Sequence, residues 1–235
     1  WPYILKTSTF GYDGKGQAVV NNFDELLKSY KYLGVENFIL EKKVNLDMEV
    51  SQVACCYEND IILLPISENT HINNILHKSK VPAGISEEES KKIEDITIKI
   101  AKNLNYKGIL CVEFFLSKSK NILVNEIAPR THNSGHYSIE GCQESQFDHQ
   151  VRILKNMEPV KSSLEHSSVM INLLGDLWKN GNINFDNMKK SEVFLHLYNK
   201  KIPKNGRKMG HFTVINDSVE IANKIADEVY AKLKK

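Results

Sequence analysis

Leu110-Cys111-Val112-Glu113-Phe114-Phe115-Leu116 and Ile122-Leu123-Val124-Asn125-Glu126-Ile127 are two apolar runs, each interrupted by a glutamate, and Ser117-Lys118-Ser119-Lys120-Asn121 joins them. Val, Ile and Phe bounded by turn-forming residues read as two strands of a hairpin. With a two-residue turn at Ser119-Lys120, the numbers of paired residues sum to 239, which sets Glu113 opposite Glu126. Like charges directly opposite one another destabilise a sheet. In a half-buried setting one carboxylate must protonate unless a cation sits between them. A hard, oxygen-seeking ion such as Mg²⁺ resolves the conflict, and Mg²⁺ commonly brings phosphates with it. The alternative is a solvent-facing pair, which the apolar neighbours on both strands disfavour.

Working outward, further strands are expected at Tyr3–Thr7, Phe38–Val44, Val50–Cys56, Ile61–Ile66, Val169–Leu174, Val193–Tyr198 and Phe212–Ile215, and the hairpin itself spans Gly108–Leu116 and Ile122–Ile127. Glu58-Asn59-Asp60 is expected to turn between two of them. The clearest helix runs from Ser86 to Leu104. Ser86 and Glu89 form a capping box, and Ile93, Ile96, Ile100 and Leu104 make one apolar stripe. Shorter helices are expected at Asp24 to Leu33 and Ser145 to Lys155. A last one runs from Asp217 to Leu233, with Glu220 three residues after Asp217. Hairpins with a few packed helices define an α+β fold. Pro159 and the polar stretch Lys161–Ser168 mark a subdomain boundary.

Four other segments carry chemistry. Phe10-Gly11-Tyr12-Asp13-Gly14-Lys15-Gly16-Gln17 has the glycines for close backbone approach and an anion nest, with Lys6 just upstream. Gly16 stands where a Walker A loop needs Ser or Thr, so the reading stays between a phosphate loop and a glycine-rich turn. Ala128-Pro129-Arg130-Thr131-His132-Asn133-Ser134-Gly135-His136 packs donors directly after Glu126, and Arg130 suits a phosphate or carboxylate. Pro203-Lys204-Asn205-Gly206-Arg207-Lys208-Met209-Gly210-His211, with Lys200 and Lys201 upstream, is a basic turn or a phosphate clamp. Glu41-Lys42-Lys43-Val44, with Glu49 beyond, is a weaker signal for an adenine edge and a ribose.

Composition narrows the classes. Of 235 residues, 41% are hydrophobic, enough for a sizeable core, and 31 basic against 29 acidic residues leave a net charge of only +2. That balance gives no general reason to bind nucleic acid, and no apolar run approaches the roughly 20 residues of a membrane span. Cys55, Cys56, Cys111 and Cys142 show neither CxxC nor zinc spacing, so a reducing cytosol is the default. Trp1 opens what already reads as a strand in progress, with no signal peptide after it, so the sequence is expected to be a piece of a longer protein cut on its N-terminal side.

Taken together these segments resemble the ATP-grasp superfamily, and within it the 5-(carboxyamino)imidazole ribonucleotide synthases of purine biosynthesis. The likeness is carried, in family order and over nearly the whole chain, by ILKT, FGYDGKGQ, EKKVNLDMEVS, PISENTHINNIL, VEFFLSK, ILVNEIAPRTHNSGHYSIEG, SQFDHQVR, VMINLLG and HLYNKKIPKNGRKMGH. NEIAPRTHNSGH and GRKMGH are particular to this enzyme type, whereas the glycine loop and the Asn-Glu pair are shared more widely.

The resemblance implies an ATP-grasp body over 1–160 and a small C-terminal β-rich domain over 161–235, with the family's N-terminal Rossmann-like domain lying outside the matched segments. It implies ATP and Mg²⁺ as cofactors. Lys6 and Gly11, Tyr12, Asp13, Gly14, Lys15, Gly16 and Gln17 would lie over the phosphates, the loop acting as a lid. Glu41, Lys42, Lys43 and Val44 would line the adenine pocket, Glu49 would hold the ribose, and His71 matches a further nucleotide position. Glu113 and Glu126 match the magnesium carboxylates, with Asn125 beside them. Tyr12, Asp13, Lys15, Arg130, His132, Asn133, Lys200, Arg207 and Lys208 resemble the group around 5-aminoimidazole ribonucleotide, and Lys6, Asp13, Lys15 and Arg130 the catalytic set.

The implied reaction is ATP-dependent carboxylation of that ribonucleotide with bicarbonate through carboxyphosphate. No nucleic acid or membrane is implied as partner, and a homodimer follows by analogy. Three alternatives stay open: another ATP-grasp ligase, such as a formate-using one, which is not expected to carry NSGH and GRKMGH together, a non-catalytic nucleotide-binding fragment, and a plain interaction domain. The last would bind no nucleotide at all.

Overall fold

The computed structural model describes residues 1–8, 16–34, 37–178, 181 and 183–233. In chain order the elements are β1 (Tyr3–Thr7), β2 (Gln17–Val20), α1 (Phe23–Leu33), β3 (Phe38–Lys42), β4 (Leu46–Cys56), β5 (Ile61–Leu63), β6 (Ser67–Ile72), β7 (Ile75–Val81), α2 (Glu87–Asn103), β8 (Gly108–Ser117), β9 (Ile122–Ala128), α3 (Ser138–Gly141), α4 (Gln146–Leu154), β10 (Ser167–Leu174), β11 (Val193–Leu197), β12 (Lys208–Asn216) and α5 (Val219–Leu233). The strands make two antiparallel sheets. One has three strands in the order β2-β1-β3. The other has nine, in the order β11-β12-β10-β7-β6-β4-β8-β9, with β5 paired to β4. No described helix is long and apolar enough to cross a membrane.

Alternation along β4 and β8 sorts side chains to two faces. Val50, Ala54, Leu110, Val112, Phe114 and Leu116 go to one face and pack on Ile93 and Ala101 of α2. Val53, Cys55, Ile109 and Cys111 go to the other and pack on Ile153 of α4. Glu113 and Phe115 are in step with Cys111, so the pleat carries them to the face opposite α2. At the far end α5 lays Ala222, Ala226, Val229 and Leu233 against Val169, Ile171, Phe212 and Val214. Fully burying one such Val, Leu or Phe stabilises by about 1.5–3 kcal/mol, which is what fixes the faces.

The central hairpin reaches its expected register by a different route. Ser117 N–H donates to Asn121 O, Lys120 N–H to Ser117 O, and Lys120 is left-handed at φ 63°. The loop is therefore Lys118-Ser119-Lys120, one residue longer than the turn assumed from sequence, and Phe114 pairs with Val124. A β-bulge at Asn125 then takes up the extra residue and sets Glu113 opposite Glu126.

Other boundaries also move. Three strands, β2, β6 and β7, were not expected. Asn73 and Asn74, both at positive φ, make the turn that joins β6 to β7, a hairpin signal present in the sequence. The strand expected over Ile61–Ile66 stops at Leu63, and the one over Phe38–Val44 stops at Lys42. The Ser86–Glu89 capping box forms with both bonds in place. Helix α5, in contrast, is capped by Ser218, whose Oγ accepts from Ile221 N–H, and not by Asp217.

Candidate active site

A cleft of about 1350 Å³ opens between the three-stranded sheet and the nine-stranded one. Its first wall is the inner face of β1 with its neighbours. Register places Lys6 beside Gln17 and Ile39, and Ile4 beside Glu41, so alternation turns all of them the same way. Lys6 Nζ lies 2.6 Å from Glu41 Oε2, a partly exposed pair worth about 1 kcal/mol or less. Gly16, Lys42, Lys43 and Val44 complete this wall. Gly11, Tyr12, Asp13, Gly14 and Lys15 lie outside the described residues.

The second wall is the face of the large sheet carrying the carboxylates. Glu49 on β4 lies beside Phe115 of β8 and Asn69 of β6, and Glu113 lies between Ser51 and Glu126. His71, placed after a register shift in β6, brings Nδ1 to 2.6 Å from Glu49 Oε2. Burial opposes charge on His71, but Glu49 and then Glu113 outweigh it, and its pKa is raised. Burial pushes the Glu113 carboxyl up to about 7; His71 opposes the rise, and Glu126 and Glu49 add to it.

Carboxylates held together at this cost are the pattern expected where a cation belongs. Among the described residues no three His, Cys, Asp or Glu side chains converge as a metal-ligand set. Two carboxylates suit Mg²⁺ all the same, since that ion keeps waters and takes its other ligands from substrate phosphates. The donor set fits a cation arriving with a nucleotide better than a closed protein cage.

A loop leaving β9 closes the inner end. Arg130 is exposed, and its Nη1 donates to Thr131 O at 3.0 Å. His132 is largely buried, and desolvation, with Arg130 and Lys208 nearby, holds its pKa down to about 3. Its Nε2 lies 3.6 Å from Glu113 Oε1, so at neutral pH this contact is not an ion pair. Asn133 and Asn172 exchange side-chain amide bonds, and Asn172 also donates to Leu76 O at 2.8 Å.

Beyond the loop, Lys200 donates to Lys208 O at 2.7 Å, and desolvation lowers its pKa. Lys200 and Lys208 border the cleft. Arg207 does not: it is exposed and donates to Ile202 O at 2.9 Å. Gly210, between them and His211, is needed for strand approach, because a Cβ there would meet His196 O at 2.4 Å.

Of the residues expected from sequence, those on β1–β3, on the carboxylate wall and on the Arg130–Asn133 loop therefore face one space. His136, quoted in the donor-rich loop but given no role, and Tyr198, which the sequence reading missed, also border it. Tyr198 OH lies 2.7 Å from His211 Nδ1, and its position two residues before Lys200 was a usable signal. Gln146 and Asn172, which hold the loop from behind, gave none.

Comparison with known proteins adds independent findings. Residues 1–147 match the model of the ATP-grasp domain, and residues 168–225 match that of the phosphoribosylaminoimidazole carboxylase C-terminal domain. The N5-carboxyaminoimidazole ribonucleotide synthase of Staphylococcus aureus strain COL is 40% identical over 239 residues, covering 100% of this chain and 61% of that protein. The crystal structure of N5-carboxyaminoimidazole synthetase from Staphylococcus aureus complexed with ADP superposes with a TM-score of 0.87 at 39% identity, covering 99% of this chain and 61% of that one. The Aspergillus clavatus N5-carboxyaminoimidazole synthase, in complex with ADP and 5-aminoimidazole ribonucleotide, gives a TM-score of 0.88 at 27% identity over 99% of this chain and 62% of that one. The chain thus spans about three fifths of the length of these relatives.

Proposed function

The chain belongs to the ATP-grasp family, and from that premise we propose that it carries the catalytic part of an ATP-dependent ligase that carboxylates 5-aminoimidazole ribonucleotide with bicarbonate. The observation that carries the reading is the convergence of the Lys6–Glu41 wall, the Glu113–Glu126 pair and the Arg130–His132 loop on one cleft. In this reading residues 1–160 form the nucleotide-binding body and 161–235 the small C-terminal domain. A homodimer and a cytosolic location belong to the same reading.

The chemistry asks for these groups. Bicarbonate is a poor electrophile at neutral pH. Transfer of the γ-phosphoryl group of ATP to a bicarbonate oxygen gives carboxyphosphate and ADP. The exocyclic amine of the ribonucleotide then attacks the carboxyl carbon, phosphate departs and the amine loses a proton. Lys6 would turn from Glu41 to the nucleotide phosphates. Glu41 to Val44 would border the base, and Glu49, steadied by His71, the ribose. Glu113 and Glu126 would hold Mg²⁺, which when bound offsets charge on the phosphates during transfer. Arg130 offers a planar paired contact to an anionic oxygen group, and Lys200 and Lys208 a positive end for the ribonucleotide phosphate. Enclosure matters because carboxyphosphate hydrolyses readily in water.

The test is ADP release by the full-length protein with and without 5-aminoimidazole ribonucleotide and bicarbonate. Release that needs both supports the reading. Release with a different amine or carboxylate would make it another ATP-grasp ligase, and nucleotide binding without release would make it a binding module.

A further inference from the structure

The loop His132-Asn133-Ser134-Gly135-His136 is held from behind by groups whose hydrogen bonds have fixed directions. The backbone N–H of Ser134 can only donate, and it points at His132 Nδ1 at 3.4 Å. Ser134 Oγ lies 2.8 Å from the same nitrogen. A ring nitrogen that accepts from an N–H carries no proton of its own. The Ser134 hydroxyl therefore donates its hydrogen bond to Nδ1, and its oxygen is left to accept from the thiol of Cys111, 3.7 Å away and fully buried. With Nδ1 accepting, the ring proton of His132 sits on Nε2, the atom 3.6 Å from Glu113 Oε1.

Gln146, fully buried, does the same for His136. The backbone N–H of His132 donates to Gln146 Oε1 at 2.8 Å, which fixes the orientation of the amide. Gln146 Nε2 is then the donor to His132 O at 2.8 Å and to His136 Nδ1 at 3.0 Å. The close approach needs Gly135, since a Cβ there would lie 2.9 Å from Gln146 Oε1. Two residues remote from the carboxylates thus dictate where two ring protons reside.

We propose that Ser134 and Gln146 are positioning residues that lock His132 and His136 as imidazoles protonated on Nε2 and accepting at Nδ1. Both residues border the cleft, His132 presents Nε2 toward Glu113 there, and neither Nδ1 is free to act as a base. His132 in this form cannot ligate a cation through Nε2, which leaves Glu113 and Glu126 as the ligands. Resting on the function proposed above, His132 then steadies an anionic oxygen of bicarbonate or carboxyphosphate, and the proton leaving the amine goes to another acceptor.

Long-range ¹H–¹⁵N correlation spectra of the ¹⁵N-labelled protein report the tautomer of each ring without substrate, so they decide this point whether or not the ligase reading survives. The expected result is an unprotonated Nδ1 and a protonated Nε2 at both His132 and His136. An Nδ1–H form at either ring overturns the assignment for that ring. Ser134→Ala should shift His132 toward a mixture of tautomers, leave His136 unmoved, and lower kcat about 10-fold with the KM for ATP unchanged, the scale of one lost hydrogen bond. A Ser134→Ala protein with unchanged tautomers and kcat would remove Ser134 from the role. Should that variant not fold, the wild-type spectra alone still decide.

Discussion

The two walls of the cleft are built to different standards. On the three-stranded side only Leu5 and Val20 are buried among the described residues, and α1 buries none of its side chains while Phe23, Leu27 and Tyr30 stand exposed. On the nine-stranded side β4 and β8 are packed on both faces, and the loop after β9 is held by buried amide and hydroxyl groups. Few buried apolar contacts mean low local stability. One wall therefore holds chemical groups in fixed places at high packing cost. The other presents Lys6 and Glu41 on a light frame, where their mutual contact is weak enough for a nucleotide to replace.

The two cores should respond very differently to truncation. Phe114→Ala, at a fully buried site against α2, should lower stability by about 3–5 kcal/mol. Leu27→Ala on α1 should change it by no more than about 0.5 kcal/mol. Urea unfolding of both variants checks this, and comparable losses would mean that the two walls are equally packed. In activity the order reverses toward exposed groups. Glu126→Gln removes an exposed carboxylate and should leave the unfolding midpoint in place. Turnover should fall about 100-fold or more, as when one electrostatic contact to a transition state is lost. A variant that keeps its rate would break the pairing with Glu113.

Between pH 7 and 5, histidine titration should act on one wall only. The segment that builds β1 to β3 contains no histidine. Burial holds His132, His136 and His211 down to about 3, 4 and 2. At these three sites the unfolded chain, with histidines near 6.5, binds more protons than the folded one below that pH; Glu113 and His71, whose pKa values are raised, act the other way but are fewer, so stability must fall as pH drops through 6 toward 4. Each such histidine contributes about 1.4 kcal/mol per pH unit. The unfolding midpoint of the large sheet, followed by hydrogen exchange in β10 and β12, should drop accordingly; a flat profile between pH 7 and 5 would contradict the burial of these rings.

Much of this was legible in the sequence, though not always for the right reason. The α2 cap and stripe were readable because Ser86, Glu89 and the isoleucines act locally. The Glu113–Glu126 pairing was reached from a two-residue turn that does not exist; a longer loop and the Asn125 bulge cancel, and neither leaves a mark in local composition. The strands β6 and β7 were missed because His71, Lys78 and Lys80 break the apolar alternation, although the Asn73-Asn74 turn marks their hairpin. Gln146 and Asn172 could not be found, since a buried amide looks like any surface amide until its partners are known.

In the proposed reading the Arg130 loop serves the second substrate while the opposite wall serves ATP. Arg130→Lys in the full-length protein, with KM measured for each substrate, tests it directly. The paired guanidinium contact cannot be copied by an ammonium group. The KM for 5-aminoimidazole ribonucleotide should rise while that for ATP stays nearly unchanged. A loss of about 1.5–3 kcal/mol, the range for a charged hydrogen bond, lowers kcat/KM for the ribonucleotide about 10- to 150-fold. A variant that loses ATP binding and keeps its response to the ribonucleotide would place Arg130 in the nucleotide site and contradict the division of the cleft.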